Sequence, residues 1–208
     1  MLRYNLNSII KTLLLLVIIT SCSSVPVNKN MNKTNILSNV NAIDPLYKDL
    51  PVLLFVDIET QTLTHIEKGT VLKLYKISSS YYGTGSKLNS LRTPLGRHEI
   101  YKKIGSNLPI NAILKGRVWN GAIADVIKEP IDTDFDHVTS RILWLDGLEL
   151  GKNKGKGIDS RNRYIYIHGT AEEGLIGTPA SDGCIRMYNR DVVELFDLVD
   201  KKAQVWIY

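Results

Sequence analysis

Hydrophobic and polar positions in this chain fall into short alternating segments divided by turn residues, with one clear helical stripe near the end. Residues 52–57 are almost wholly apolar, and 61–66 and 71–78 alternate, with turn signals at Glu59-Thr60 and Lys68-Gly69. Arg92-Thr93-Pro94-Leu95-Gly96 reads as a turn before a strand over 98–101, and residues 141–148, 164–168 and 203–208 are further strands. The stripe is Val192, Leu195, Phe196 and Val199, spaced i, i+3, i+4, i+7. Asn189 suits its N-cap and Asp191 its first turn. The pattern predicts one mainly-β domain with a few short helices over 46–208, in which 105–140 carries no readable element.

The N-terminus departs from this pattern. Residues 1–21 read as a secretory signal: Arg3 and Lys11 precede an unbroken apolar run over 13–19, too short for the ~20 residues that span a bilayer. Ile19-Thr20-Ser21-Cys22 resembles a bacterial lipobox, which implies that Cys22 is lipidated and becomes the first mature residue. The plainer alternative is a signal peptide with an incidental cysteine. Ser23, a residue other than Asp, resembles the signal for the outer membrane if the cell has two. Residues 22–45 are rich in Ser, Asn and Lys without periodicity and read as a flexible tether, reaching roughly 25 Å on average and ~75 Å when stretched.

Charge narrows the partners only slightly. The full chain carries +5, and loss of Arg3 and Lys11 with the signal leaves +3, which suits an anionic cell envelope. Aromatic residues are few and basic ones scattered, so nothing points to nucleic acid. Cysteine is more telling. With Cys22 given to lipid, Cys184 is the only other thiol of the chain, and no internal disulfide is available in an oxidising compartment. A buried cysteine acting as a small hydrophobe is the bland reading. Its surroundings, Ser181-Asp182-Gly183-Cys184, argue against it.

Strand alternation brings the chemistry together. Over 164–168, Ile165 and Ile167 share the core face and Tyr164, Tyr166 and His168 the other. Over 184–187, Ile185 and Met187 point to the core, so Cys184 and Arg186 emerge on the open face. Gly183 permits a sharp turn, and backbone N–H groups around Asp182–Cys184 could meet a developing oxyanion. An imidazole activates a thiol by taking its proton or lowering its pKa, and Arg186 suits a substrate carboxylate. Tyr166 is a candidate cleft wall.

His168-Gly169-Thr170, a loop, and Ser181-Asp182-Gly183-Cys184-Ile185-Arg186-Met187 together resemble the YkuD-type L,D-transpeptidases, over nearly the whole of 51–208. The resemblance implies a YkuD-like β-sandwich or mixed sheet. It makes Cys184 the nucleophile, His168 the general base and the Gly169 carbonyl the group that orients the imidazole. It implies acyl transfer on peptidoglycan stem peptides: Cys184 attacks the third, diamino-acid residue, D-alanine leaves, and an amine resolves the thioester. The acceptor stays open among a second stem peptide, a lysine of an envelope protein, a free D-amino acid and water. No cofactor or metal is implied, and acylation of Cys184 by carbapenems is. The family commonly has His where Asp182 stands. Beside a thiolate Asp182 raises the thiol pKa, steers His168 or receives an amine, and the sequence does not choose. A hydrolase on the same site and a wall-binding module without catalysis are the competing functions.

Three weaker signals fail on spacing. Asp132, Asp134 and Asp136 open like a calcium loop, but His137 and Leu143 occupy the positions for Gly and Glu, so a solvated acidic loop is expected. The glycine-lysine run over 151–157 lacks Walker spacing. Cys184 and His168 are too few for zinc, and His65, His98 and His137 are assigned surface or structural roles.

Overall fold

Ten strands build a mixed sheet: β1 (Val52–Asp57), β2 (Thr62–Glu67), β3 (Thr70–Ser78), β4 (Gly96–Ile104), β5 (Ala112–Lys115), β6 (Val118–Ile123), β7 (Val138–Gly147), β8 (Tyr166–Thr170), β9 (Ile185–Met187) and β10 (Gln204–Ile207). These come from a computed structural model that describes residues 33–208; the signal segment, Cys22 and the tether as far as residue 32 lie outside the described residues. The strand order is 4-10-1-2-3-9-8-7-5-6, and a second pairing of β4 with β7 closes the first eight strands into a ring. The β5–β6 hairpin hangs from β7 outside it. Two pairs are parallel, β1 with β10 and β8 with β9. The mainly-β expectation holds, in its mixed-sheet form.

The alternation of β1 explains the layers. Leu54 and Val56 point into the ring, where they join Leu63, Tyr75, Ile77, Leu143, Ile167, Ile185 and Met187. Leu53 and Phe55 point outward and are buried with Ile66, Val71 and Trp206. Covering on both faces is why this strand reads as an unbroken apolar run. The outer cover corrects the tether expectation. Residues Lys33–Ile43 form a helix, α1, that lays Ile36 and Val40 onto this patch, with Tyr47 from the following 3₁₀ turn Pro45–Asp49. Three asparagines, a serine and a threonine in eleven residues give it little intrinsic helicity, so packing decides its conformation.

The second helix, α2 (Asn189–Leu198), buries the predicted Val192, Leu195 and Phe196 in the ring core. Truncating Leu195 there would cost about 2–5 kcal/mol. Its start differs from expectation. Asn189 is the first helical residue, and Tyr188 holds the cap position without a side-chain bond. The Asn189 amide instead donates to the Glu173 carboxylate at 2.7 Å, a favourable charge for a helix N-terminus. Its side chain accepts from Thr139 and Ser140 at 2.6 Å each and donates to the Thr170 carbonyl at 2.7 Å. That places a helix terminus directly behind the β8 strand. Gly169 leaves the room: a Cβ there would lie 2.5 Å from Asn189 Oδ1.

Candidate active site

The parallel β8–β9 pair carries the predicted residues. His168 lies opposite Arg186 in register, with Ile167 opposite Ile185. Ile167, Ile185 and Met187 face the ring core, so His168, Cys184 and Arg186 share the outer face, as alternation required. That face is not open. His168 is 1% exposed and Arg186 2%, while Cys184, one residue before β9, is half-buried. Leu114 of the hairpin, Ile142 and Tyr166 pack beside them, with Trp144 and Cys184 at the margin. Residues 124–137 close the other side: Ile127 and Ala171 are joined at 2.8 Å, Gly174 and Ile127 at 2.9 Å.

His168 is held by its neighbour. Nδ1 lies 2.7 Å from the Gly169 carbonyl, and because a carbonyl only accepts, Nδ1 carries the proton and Nε2 the lone pair. Burial lowers the imidazole pKa from its ordinary value; the Asp136 charge and the Gly169 bond oppose this and the Arg186 charge adds to it. The thiol moves the other way. Burial pushes Cys184 up to about 12, despite the Tyr166 amide; Asp136 raises it further, and Arg186 and Arg163 oppose. Both groups therefore rest neutral, a thiol and an imidazole on one face of the sheet. The sulfur accepts from the Tyr166 amide at 3.4 Å and donates to the Tyr164 carbonyl at 3.5 Å.

The turn before the sulfur is closed on itself. Ser181 Oγ donates to the Cys184 carbonyl at 2.6 Å and accepts from the Gly183 amide at 3.2 Å. Gly183 has φ +118°, a conformation that favours glycine, and its carbonyl accepts from Thr93 at 3.1 Å. The Gly183 N–H expected to face an oxyanion is thus engaged within the turn.

Two expectations need correction. Arg186 is not displayed for substrate: Nη1 binds Glu172 at 2.8 Å and Nη2 binds Asp136 at 2.7 Å. Glu172 is fully buried and also accepts from the Thr133 amide at 2.8 Å and its hydroxyl at 2.5 Å. A buried guanidinium needs such partners, so Asp136 pairs with Arg186 from within the acidic loop, whose three aspartates are exposed as expected. Tyr164 is not a strand residue either. Its φ of +58° takes it out of register before β8 begins, and its ring is half exposed. Tyr166 does line the site, 7% exposed, with its hydroxyl bound to Arg117 at 3.2 Å.

Asp182 is exposed as a residue, but partial loss of solvent around its carboxyl raises the pKa, with Asp136 adding to the effect. The carboxylate that presses on the thiol is Asp136. Together with Tyr81, Tyr82, Asp132 and Asp134 these two acids line a cleft of about 480 Å³ that reaches Arg186. Among the described residues no group of three or more His, Cys, Asp or Glu is arranged to hold a metal ion. His98 is buried between the Gly96 carbonyl and Ser160, both at 2.9 Å, and His65 is buried beside Glu67, both structural; His137 stacks on Phe135. The sequence reading missed Glu172, Asp136 and Arg117. Only Asp136 had left a trace, as the third acid of its run.

A family model, the YkuD L,D-transpeptidase catalytic domain, matches residues 51–207. YkuD of Bacillus subtilis (strain 168), provisionally named an L,D-transpeptidase, is 49% identical over 45 residues, which is 22% of this chain and 27% of that protein. The match thus spans about a quarter of that relative's length. Among solved structures, an L,D-transpeptidase from Mycobacterium smegmatis aligns over 76% of this chain and 58% of its own, with TM-score 0.45 and 16% identity. A cysteine-to-serine variant of the Enterococcus faecium L,D-transpeptidase aligns over 76% and 50%, with TM-score 0.44 and 20% identity.

Proposed function

Because the chain belongs to the YkuD L,D-transpeptidase family, we propose that it is a peptidoglycan L,D-transpeptidase using Cys184 as nucleophile and His168 as general base. The observation that carries this reading is the His168 ring, fixed by the Gly169 carbonyl at 2.7 Å on the strand face it shares with the chain's one described thiol. With Nδ1 committed to that bond, Nε2 is free to act as base.

The steps follow from a neutral pair. His168 Nε2 takes the thiol proton as Sγ attacks the carbonyl of the diamino-acid residue. The C–N bond to the terminal D-alanine breaks, the proton passes to the leaving amine, and a thioester remains. An acceptor amine then attacks the thioester and gives its proton to His168. The C–S bond breaks and the thiol is restored. A thiol pKa near 12 makes the free thiolate scarce at neutral pH, so proton removal is coupled to attack. The acidic cleft that reaches Arg186 favours approach of a cationic amine over water.

The acceptor is a second stem peptide, an envelope-protein lysine or a D-amino acid. Lipidation at Cys22 would hold the exported domain on a membrane, on the periplasmic face of the outer one in a cell with two. The apolar run and the Ile19-Thr20-Ser21-Cys22 sequence support this. The test is incubation with a tetrapeptide muropeptide and a D-amino acid. Release of D-alanine with the new amide formed is the expected result. Free carboxylate products alone would make the enzyme a hydrolase, and no release of D-alanine would end the reading.

A further inference from the structure

Three guanidiniums bear on the surroundings of the sulfur, Arg186 and Arg163 by charge and Arg117 through Tyr166, and the first two are already spoken for. Arg186 is paired with Glu172 and Asp136. Arg163 donates to the Gly85 carbonyl at 3.2 Å, the Arg92 carbonyl at 2.6 Å and Ser90 at 3.4 Å. Arg117 differs. It donates from Nη1 to the Tyr166 hydroxyl at 3.2 Å and also hydrogen-bonds Tyr164, and among the described residues it has no carboxylate partner. A guanidinium has five N–H donors, which leaves most of these unfilled.

Its position is built. The guanidinium carbon lies 4.8 Å from the Trp144 ring centre and 4.9 Å from that of Tyr164. Trp144 and Tyr166 meet edge to face, so three aromatic rings fix the cation without neutralising it. The backbone points the same way. Gly116 and Arg117 are the two residues between β5 and β6, at φ +57° and +70°. Such a turn favours glycine or asparagine at both positions, and an arginine in the left-handed region costs about 1–2 kcal/mol. Strain of this kind is retained where a side chain has a task.

We propose that Arg117 binds the terminal carboxylate of the acyl donor, the role for which the sequence had suggested Arg186. The inference rests on the transpeptidase reading, in which the scissile carbonyl is one residue from a free C-terminus. One residue spans about 3.3–3.6 Å, and an attacking atom sits roughly 3–3.5 Å from its carbonyl. The carboxylate therefore lies about one tyrosine side chain from the sulfur. Tyr166 bridges that gap: its amide touches Sγ and its hydroxyl touches Arg117.

The test measures binding, so it does not depend on turnover. In the full chain carrying Cys184→Ala, a synthetic stem tetrapeptide and its C-terminal carboxamide are titrated by calorimetry. The free acid is expected to bind about tenfold more tightly, in line with loss of a charge-assisted hydrogen bond. Adding Arg117→Gln should bring the two peptides within about threefold, and Arg117→Lys should keep part of the preference. Equal binding of both peptides in the Cys184→Ala chain overturns the proposal. So does a preference that survives Arg117→Gln, or a variant that weakens both peptides alike, as a purely structural arginine would. Failure of both peptides to bind also overturns it. A preference that behaves as expected in an enzyme that releases no D-alanine would sink the transpeptidase reading and leave the carboxylate site standing.

Discussion

The two segments that cover the outer face of β8 and β9 are held by opposite means. On one side, residues 124–137 are pinned by charge: buried Glu172 and Arg186 interlock with the exposed Asp136, Thr133 donates twice to Glu172, and two backbone bonds tie Ile127 to the segment after β8. On the other, the β5–β6 hairpin rests on Leu114, one bridge from Ile113 to Thr139, and the Arg117 contacts with three rings. Every residue of β6 is exposed. The difference teaches which side can yield. A buried ion cluster cannot lose one member without stranding another, whereas ring stacking at the surface can be made and broken at small cost.

The sharpest way to break the comparison is Arg186→Leu. It strands Glu172 in the interior, and we expect a loss of about 3–5 kcal/mol in denaturant unfolding; a loss under ~1 kcal/mol would mean the cluster holds nothing. Acid should act on the scaffold next. Burial depresses His98 to about 4 from 6.5 and lowers His65 and His168 as well. A depressed histidine leaves the unfolded chain binding more protons between these values, so stability falls as pH drops from 6.5 through 4. His98 alone contributes about 3 kcal/mol to that loss. Unfolding measured at pH 7 and pH 4.5 checks it, and equal stabilities would contradict it. Asp136→Asn is subtler. Burial is the main cause of the high thiol pKa, with Asp136 adding to it, so alkylation of Cys184 at pH 9 should quicken only a few-fold. An unchanged or slower rate would remove Asp136 from the account. Smallest is Arg117→Met, at about 1 kcal/mol or less. Amide exchange should rise within 112–123 and stay unchanged in 124–137; matched changes in both would erase the contrast.

Periodic parts of the molecule could be read directly. The parity of Ile165, Ile167, Ile185 and Met187 placed His168, Cys184 and Arg186 on the non-core face, because a strand leaves no other choice. The spacing of Val192, Leu195 and Phe196 gave α2 in the same way. What parity cannot supply is the cover over a face. Nothing in the acidic run suggested that Asp136 would meet an arginine fifty residues on, since that contact depends on how a nonperiodic segment folds back. The hairpin escaped notice because β6 has no buried side to alternate against. Helix α1 did so because Ile36 and Val40 are too few to stand out among asparagines. Tyr164 was misplaced by a backbone φ that only the surrounding structure imposes.

The central claim is that acyl transfer runs through the Cys184 sulfur with His168 as its base. Peptide mapping by mass spectrometry of the full chain, quenched during turnover of a stem tetrapeptide, addresses it most directly. The account predicts a thioester-linked tripeptide on Cys184, absent in Cys184→Ala and slowed at least a hundredfold in His168→Gln, in line with loss of a general base. An adduct on another residue, or D-alanine release that persists in Cys184→Ala, would contradict it.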